Sequence, residues 1–258
     1  MDPLLLALDT SGAAPGAAVL RGERVLGCAE GALGAGAMQG LLPLVERALG
    51  AAGAPLRAIE AFAIAIGPGS FTGLRVGVAT LKGLAFGAER PVAAVSSLRA
   101  LALGAPDPER PVLAVLDARR GEVYAAAWSG RAAVLADAAL LPAGVYWPED
   151  LLGMLSGAHL GRAGARLQRV GEVAALGGAG GAAAPAPEDS ARAAAREASA
   201  VLVGRLGLLE LRAGRVRSAA SLVPEYLRRA QAEVVRAARE EARGEAAAAP
   251  GATRRPQS

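Results

Sequence analysis

Histidine, cysteine, lysine and asparagine are scarce or missing in this chain. Its 258 residues include one histidine, His159, and one cysteine, Cys28. A single thiol excludes an internal disulfide framework and any multi-thiolate metal centre. A single imidazole excludes His-x-x-x-His, His-Glu-x-x-His and every other two-histidine metal site. No apolar run approaches the ~18 uncharged residues of a membrane span, and Met1-Asp2-Pro3 lacks the cationic character of a secretory signal. A cytoplasmic protein without a membrane partner is expected. Aromatic residues make up 3% of the chain, a poor supply of stacking platforms for a dedicated RNA-binding module.

Lys82 is the only lysine, so 27 of the 28 basic residues are arginine, and asparagine is absent altogether. With the abundance of Ala, Gly and Pro, this looks like the codon bias of a GC-rich genome. The net charge of +4 is also unevenly placed. Seven arginines and four glutamates fall between Arg228 and Ser258, which leaves about +1 for the rest of the chain. Against these shortages stand 53% hydrophobic and 20% charged residues, ample material for a buried core. The length fits one large domain or two of roughly 100–150 residues.

The opening reads as strands. Leu4 to Leu8 is an apolar run ending at the polar turn Asp9-Thr10-Ser11-Gly12, and Ala17 to Arg21 and Val25 to Ala29 flank a hairpin signal. Met38, Leu41, Leu42, Val45 and Leu49 then follow helical spacing and stop at Gly50 and Gly53. Ala61 to Ile66 has the unalternating apolarity of a parallel strand covered on both faces. It runs into Gly67-Pro68-Gly69-Ser70-Phe71-Thr72-Gly73 and a second helix with Leu74, Val78, Leu81 and Ala85 on one face. Pro91 to Val95 reads as a strand, and Ser96 or Ser97 as the cap of a helix from Leu98 to Leu103.

After a connector the opening pattern returns: the strand Val112 to Leu116 ends at Asp117, and Ala118-Arg119-Arg120-Gly121 turns into the strand Glu122 to Trp128. Leu8-Asp9 and Leu116-Asp117 stand in equivalent places, which suggests a tandem duplication. The expected division is 1–104, 105–229 and an Ala/Arg-rich tail, 230–258, with a Gly/Ala/Pro loop at 177–187. Within the second half, Pro148 opens a short helix, Ala158 to Gly164 is a candidate strand, Ser199 to Leu211 a helix and Leu222 to Leu227 a strand or extended segment.

Two turns are candidate sites. The Gly67 to Gly73 turn places backbone N–H groups at the positive end of a helix, which is the physics of an anion site. It lacks the Gly-Lys-Ser/Thr of a P-loop and the spacing of a dinucleotide fingerprint, and on local rules it also reads as strand-to-helix punctuation capped by Ser70 or Thr72. Asp9-Thr10-Ser11 could hold magnesium through water or form an Asx-turn. Asp117 is a second acid of the same kind, so Asp9, Thr10, Ser11, Gly67, Gly69 and Asp117 together outline a vestigial nucleotide site. Cys28 is expected as a buried inert thiol and His159 as a structural or surface residue. Arg75 and Lys82 fall on a different side of the second helix from Leu74, Val78 and Leu81, leaving a mixed face available to a partner.

The run Gly67-Pro68-Gly69-Ser70-Phe71-Thr72-Gly73-Leu74-Arg75-Val76-Gly77 resembles the signature of the TsaB family, subunits of the bacterial tRNA threonylcarbamoyladenosine machinery. Leu6-Ala7-Leu8-Asp9-Thr10-Ser11, Leu116-Asp117-Ala118-Arg119-Arg120-Gly121-Glu122-Val123-Tyr124 and Pro224-Glu225-Tyr226-Leu227-Arg228 support the resemblance in family order. It implies an α/β, actin-like (ASKHA) fold of two RNase-H-like halves with mixed sheets flanked by helices. It also implies a scaffold role. Such a subunit pairs with the catalytic paralogue TsaD, recruits the ATPase TsaE, can form a homodimer in isolation and meets tRNA mainly through the complex. TsaD holds its metal through a His-x-x-x-His pair that one histidine cannot supply. No cofactor is expected on this chain alone; ATP, magnesium and a metal are assigned to the partner subunits.

The partner face implied by the resemblance is the pair of helices near Met38 to Gly50 and Phe71 to Gly87. Met38, Leu41, Leu42, Val45, Phe71, Arg75, Val78, Ala79 and Lys82 would contribute, with Gly73, Gly77, Ala79 and Gly83 allowing close backbone approach. Family members commonly carry a histidine near the start of the first helix, where this chain reads Ala37-Met38-Gln39. The alternative function is an independent ATP-dependent phosphotransferase of the actin-like superfamily using Asp9, Asp117 and the Gly67 turn. A zinc peptidase has no ligand set here.

Overall fold

The buried six-residue run at the start forms β1 (Leu4–Asp9), which pairs antiparallel with β2 (Gly16–Arg21); β2 in turn pairs with β3 (Arg24–Glu30). A computed structural model describes residues 2–31, 40–156, 167–176 and 198–228 of the chain. Residues through Leu227 form one compact unit; a second begins at Arg228, the only one of its residues described. Parallel strands β4 (Ala61–Gly67) and β5 (Val92–Ser96) complete a five-stranded sheet in the order β3-β2-β1-β4-β5.

The second sheet repeats the plan. Strands β6 (Val112–Arg119), β7 (Glu122–Trp128) and β8 (Ala139–Tyr146) form an antiparallel meander, and β9 (Gln168–Gly171) adds parallel to β6, giving β8-β7-β6-β9. Strand β6 thus stands where β1 does, and Asp117 and Asp9 occupy corresponding strand ends. This is the duplication that the Leu-Asp pairs suggested.

Six helices cover the sheets among the described residues: α1 (Leu41–Ala52), α2 (Phe71–Leu84), α3 (Ser97–Leu103), α4 (Arg131–Ala136), α5 (Pro148–Ser156) and α6 (Ser199–Arg212). Strand periodicity decides which core each residue joins. From β1, Leu4, Leu6 and Leu8 face α1 and α2, whereas Leu5 and Ala7 face the core between the two sheets. That central core is lined by Ala7, Ala18, Ala63 and Ala93, short side chains that let α6 lie close to the first sheet. A third cluster packs α5 beneath the far face of the second sheet.

Several expectations change. The first helix begins at Leu41, behind Gly40, and Met38 lies outside the described residues. His159, the candidate strand Ala158 to Gly164, the 177–187 loop and the 230–258 tail also lie outside them. Cys28 is exposed rather than buried, because β3 is the sheet's edge strand; partial burial and the neighbouring Glu30 carboxylate still push its thiol pKa up. Leu222 to Leu227 forms no strand, and Leu227 lies in a bend. Helix α4 and strands β8 and β9 had no clear sequence signature. Helix α6 and the segment 217–226, beyond position 104, pack on the first sheet: Arg217 bridges to Val92, and Glu225 N–H donates to Ile66 O at 2.7 Å.

A buried ion network ties α3, α4 and α6 together. Arg99 of α3 is 4% exposed. It donates to Val134 O, Leu135 O and Glu210 Oε1, each at 2.8 Å, and so caps the carboxyl end of α4 while pairing with α6. Glu210 also accepts from Arg215, whose hydrogen bond is the main cause holding its carboxyl below the usual range, with Arg99 adding to it.

Candidate functional site

The glycine turn and the first strand's turn pack directly on each other. Gly67 (φ 135°) and Gly69 (φ 155°) have positive φ angles that favour glycine, and the Gly67–Pro68 peptide is cis. A Cβ at Gly69 would overlap the Ser11 carbonyl, and one at Gly67 the Glu225 carbonyl. Ser70 N–H donates to Ser11 O at 2.7 Å. Ser70 caps α2 by accepting from Gly73 N at 3.2 Å. Asp9 spends Oδ1 on Ser11 N at 2.8 Å and Ser11 Oγ at 2.7 Å, an Asx-turn. Asp9, Thr10 and Ser11 are buried, and Thr10 Oγ1 has no hydrogen-bond partner among the described residues.

Asp117 is engaged in the same local way on the other sheet. Its Oδ1 accepts from Arg119 N at 2.7 Å, and its Oδ2 lies 3.1 Å from the Arg119 guanidinium. The six residues of the outlined nucleotide site therefore divide into a closed Asp9–Thr10–Ser11–Gly67–Gly69 joint and a separate Asp117 turn. Donors that a phosphate would need, such as Ser70 N–H and Gly73 N–H, already bond protein oxygens. Those two donors are therefore engaged within the chain. Among the described residues no group of three or more His, Cys, Asp or Glu side chains could hold a metal ion.

The second helix divides its faces differently from the expected partner face. Leu41, Val45 and Val78 are buried in the core beneath α1 and α2 and do not face solvent. Gly73 and Gly77 face inward: Cβ atoms there would overlap the Thr10 carbonyl and the Thr10 hydroxyl. Arg75 and Lys82 are engaged within the chain. The Arg75 guanidinium lies 3.9 Å from the Phe71 ring centre and 5.9 Å from that of Tyr226, and its Nε donates to the Tyr226 hydroxyl at 3.0 Å. The two rings are 5.0 Å apart. Lys82 Nζ donates to Ala220 O at 3.0 Å.

What remains outward is an uncharged stripe. Thr72, Val76, Ala79, Gly83 and Phe86 are all exposed and recur at helical spacing, with Phe86 just past the helix end at 90% exposure. Leu42 on α1 is 52% exposed, and Phe71 is 41% exposed. Of these exposed residues, the partner face expected from the sequence included Leu42, Phe71 and Ala79 but not Val76 or Phe86. The spacing from Thr72 to Phe86 was there to be read, but the stronger Leu74–Val78–Leu81 stripe of the opposite face masked it. No helix among the described residues is long and apolar enough to cross a membrane.

Comparison with known proteins agrees with this architecture. The family model for TsaD, tRNA N6-adenosine threonylcarbamoyltransferase, matches residues 38–174, just over half of the chain. The tRNA threonylcarbamoyladenosine biosynthesis protein TsaB of Escherichia coli is 48% identical over 33% of this chain and 38% of its own length. That of Haemophilus influenzae is 43% identical over 46% of this chain and 51% of its own. The chain thus spans about half or less of the length of these relatives. A solved structure from Pseudomonas aeruginosa, described as an uncharacterized protein with similarity to peptidase YEAZ, shares 28% identity at a TM-score of 0.66, covering 88% of this chain and all of that one. YeaZ from the same organism matches at 0.65. Mixed sheets flanked by helices on a duplicated plan make the fold actin-like, and with the match over more than half its length the chain belongs to the TsaD family, with TsaB proteins among its relatives.

Proposed function

We propose that this chain is a non-catalytic subunit in tRNA threonylcarbamoyladenosine synthesis, pairing with a TsaD-type catalytic protein. The observation that carries the reading is the uncharged stripe Thr72–Val76–Ala79–Gly83–Phe86, flanked by Leu42 and Phe71. A small-residue helix face of this kind permits a partner helix to approach closely and bury apolar area. The single histidine of the whole chain supports a non-catalytic role, since the catalytic paralogue's two-histidine metal site has no counterpart here. On this reading the nucleotide, magnesium and metal belong to the partner subunits, an ATPase of the TsaE type joins the complex, the assembly works in the cytoplasm, and the isolated chain self-associates through the same stripe. The two halves, 1–104 and 105–229, serve as scaffold.

The test is size exclusion of the full chain with the TsaD protein of its organism. Co-elution is expected, and Val76→Glu should abolish it without altering the circular dichroism spectrum. Independent elution of the unaltered chain refutes the pairing. Titration with ATP and magnesium should give no heat with the isolated chain, and stoichiometric binding with turnover would favour a phosphotransferase instead.

A further inference from the structure

Strands β6 and β7 meet at a two-residue turn, Arg120-Gly121, with the pair Arg119 and Glu122 closing it. Arg119 (φ 65°), Arg120 (φ 59°) and Gly121 (φ 80°) all lie in the left-handed region. Two-residue hairpins of this mirror-image type favour Asn, Asp or Gly at both central positions. Arginine at the first is sterically disfavoured, because its Cβ crowds the backbone. Backbone held against preference marks places where a side chain is kept for what it does.

Beside this turn sits one of the chain's few aromatics. Tyr146 pairs with Val123 across β7 and β8, which brings the next residue, Trp147, level with the hairpin tip. Trp147 is 49% exposed, and its ring edge lies 3.6 Å from where a Gly121 Cβ would be. The indole is thus braced on one edge and open to solvent. Arg119 gives its charge to Asp117. Arg120 is exposed and has no hydrogen bond or ion pair among the described residues. Asp117, Glu122 and Glu172 share the neighbourhood, with Glu172 accepting from Asp117 N at 2.7 Å, so the tip is not a strongly cationic patch.

We propose that this hairpin tip is a single-stranded RNA contact: an unpaired base stacks on Trp147 while the Arg120 guanidinium holds the adjoining phosphate. Every base offers a face to an indole, and single-strand recognition combines such platforms with cations. The inference rests on the tRNA reading above and names where this chain would touch the RNA itself. Carboxylates nearby limit the electrostatic share, so stacking should dominate and about one phosphate should be neutralised.

The experiment is fluorescence anisotropy of labelled oligouridylate, and of an unmodified tRNA transcript, with the full chain. Trp147→Leu should weaken binding about tenfold. Arg120→Gly should weaken it several-fold and flatten the log–log salt dependence by about 0.7, while leaving the melting temperature unchanged or raised, because glycine is at ease at this φ. That pairing of weaker binding with undiminished stability separates a contact role from a folding role. Wild-type binding by both variants overturns the inference, as does a wild-type chain with no affinity for single-stranded RNA. If the same variants instead lose co-elution with the TsaD protein, the tip is a protein-docking point and the RNA contact is refuted. Normal co-elution with unchanged RNA affinity sinks this inference alone and leaves the subunit reading standing.

Discussion

Replacing Arg99 by methionine removes the central cation of the buried network while keeping most of the aliphatic volume. Three hydrogen bonds of 2.8 Å disappear, to Val134 O, Leu135 O and Glu210 Oε1. Val134 O retains Asp137 N–H at 3.2 Å, and Glu210 retains Arg215. The loss therefore centres on one charged hydrogen bond and one orphaned carbonyl, about 3 kcal/mol together. For a chain of this size that is a fall in melting temperature of about 6–12 °C. Asp137, 3.5 Å from Arg99 but with a largely exposed side chain, adds little. Glu210→Gln should be worse, about 3–5 kcal/mol, because it leaves the buried Arg99 guanidinium with only the largely exposed Asp137 as counter-charge. The double variant Arg99→Met with Glu210→Met should then be far less damaging than the sum, with a coupling of about 2 kcal/mol or more. Thermal and urea unfolding followed by circular dichroism provide the measurement. A drop below about 2 °C for Arg99→Met, or simple additivity in the cycle, refutes the account of the network as the clasp joining α3, α4 and α6.

Acid should act on the same network. Glu210 titrates lower in the folded chain than in the unfolded one, so its contribution is full above the unfolded value near about 4.3 and fades as pH falls through the lowered folded value. The gap in urea midpoint between wild type and Glu210→Gln should accordingly narrow from pH 7 to pH 3; a constant gap contradicts it. Along α2, Gly77→Ala should destabilise by about 1–3 kcal/mol, because the new methyl meets the Thr10 side chain. Gly83→Ala, with open space around it, should be neutral or stabilising by up to about 1 kcal/mol. Equal effects from the two glycines would contradict the inward and outward faces assigned to the helix.

The sequence exposed the strands whose two faces are both buried. Strand β4, closed in between helix layers, reads as unbroken apolarity, and the Ser96 cap of α3 follows from one residue type in one place. The duplication was legible because strand ends at Asp9 and Asp117 repeat a turn chemistry as well as a hydrophobic run. Strand β8 was not legible: its residues are half or fully exposed, so nothing forces an alternation. Arg99 escaped notice for a different reason. A lone arginine inside a short apolar helix is indistinguishable from a solvated one until Glu210, 111 positions away, is brought beside it. The exposed face of α2 was half legible, since amphipathic spacing identifies two stripes on the helix but not which of them turns to solvent. The Asp9 and Gly67 turns were each found and their contact was not, because the Ser70-to-Ser11 bond that joins them links separate strands.

The return of residues 199–226 to the first sheet has a consequence for how the chain is made. Strands β1, β2, β4 and β5 leave the ribosome early, yet the alanine-lined side of their sheet is roofed by α6, and the edge at Val92 is closed by Arg217. Until those last elements are synthesised, the early half carries a bare apolar flank and an open strand edge, the combination that invites improper association. The portion born first is thus the portion completed last, and a chain released prematurely near position 104 would be a candidate for chaperone capture.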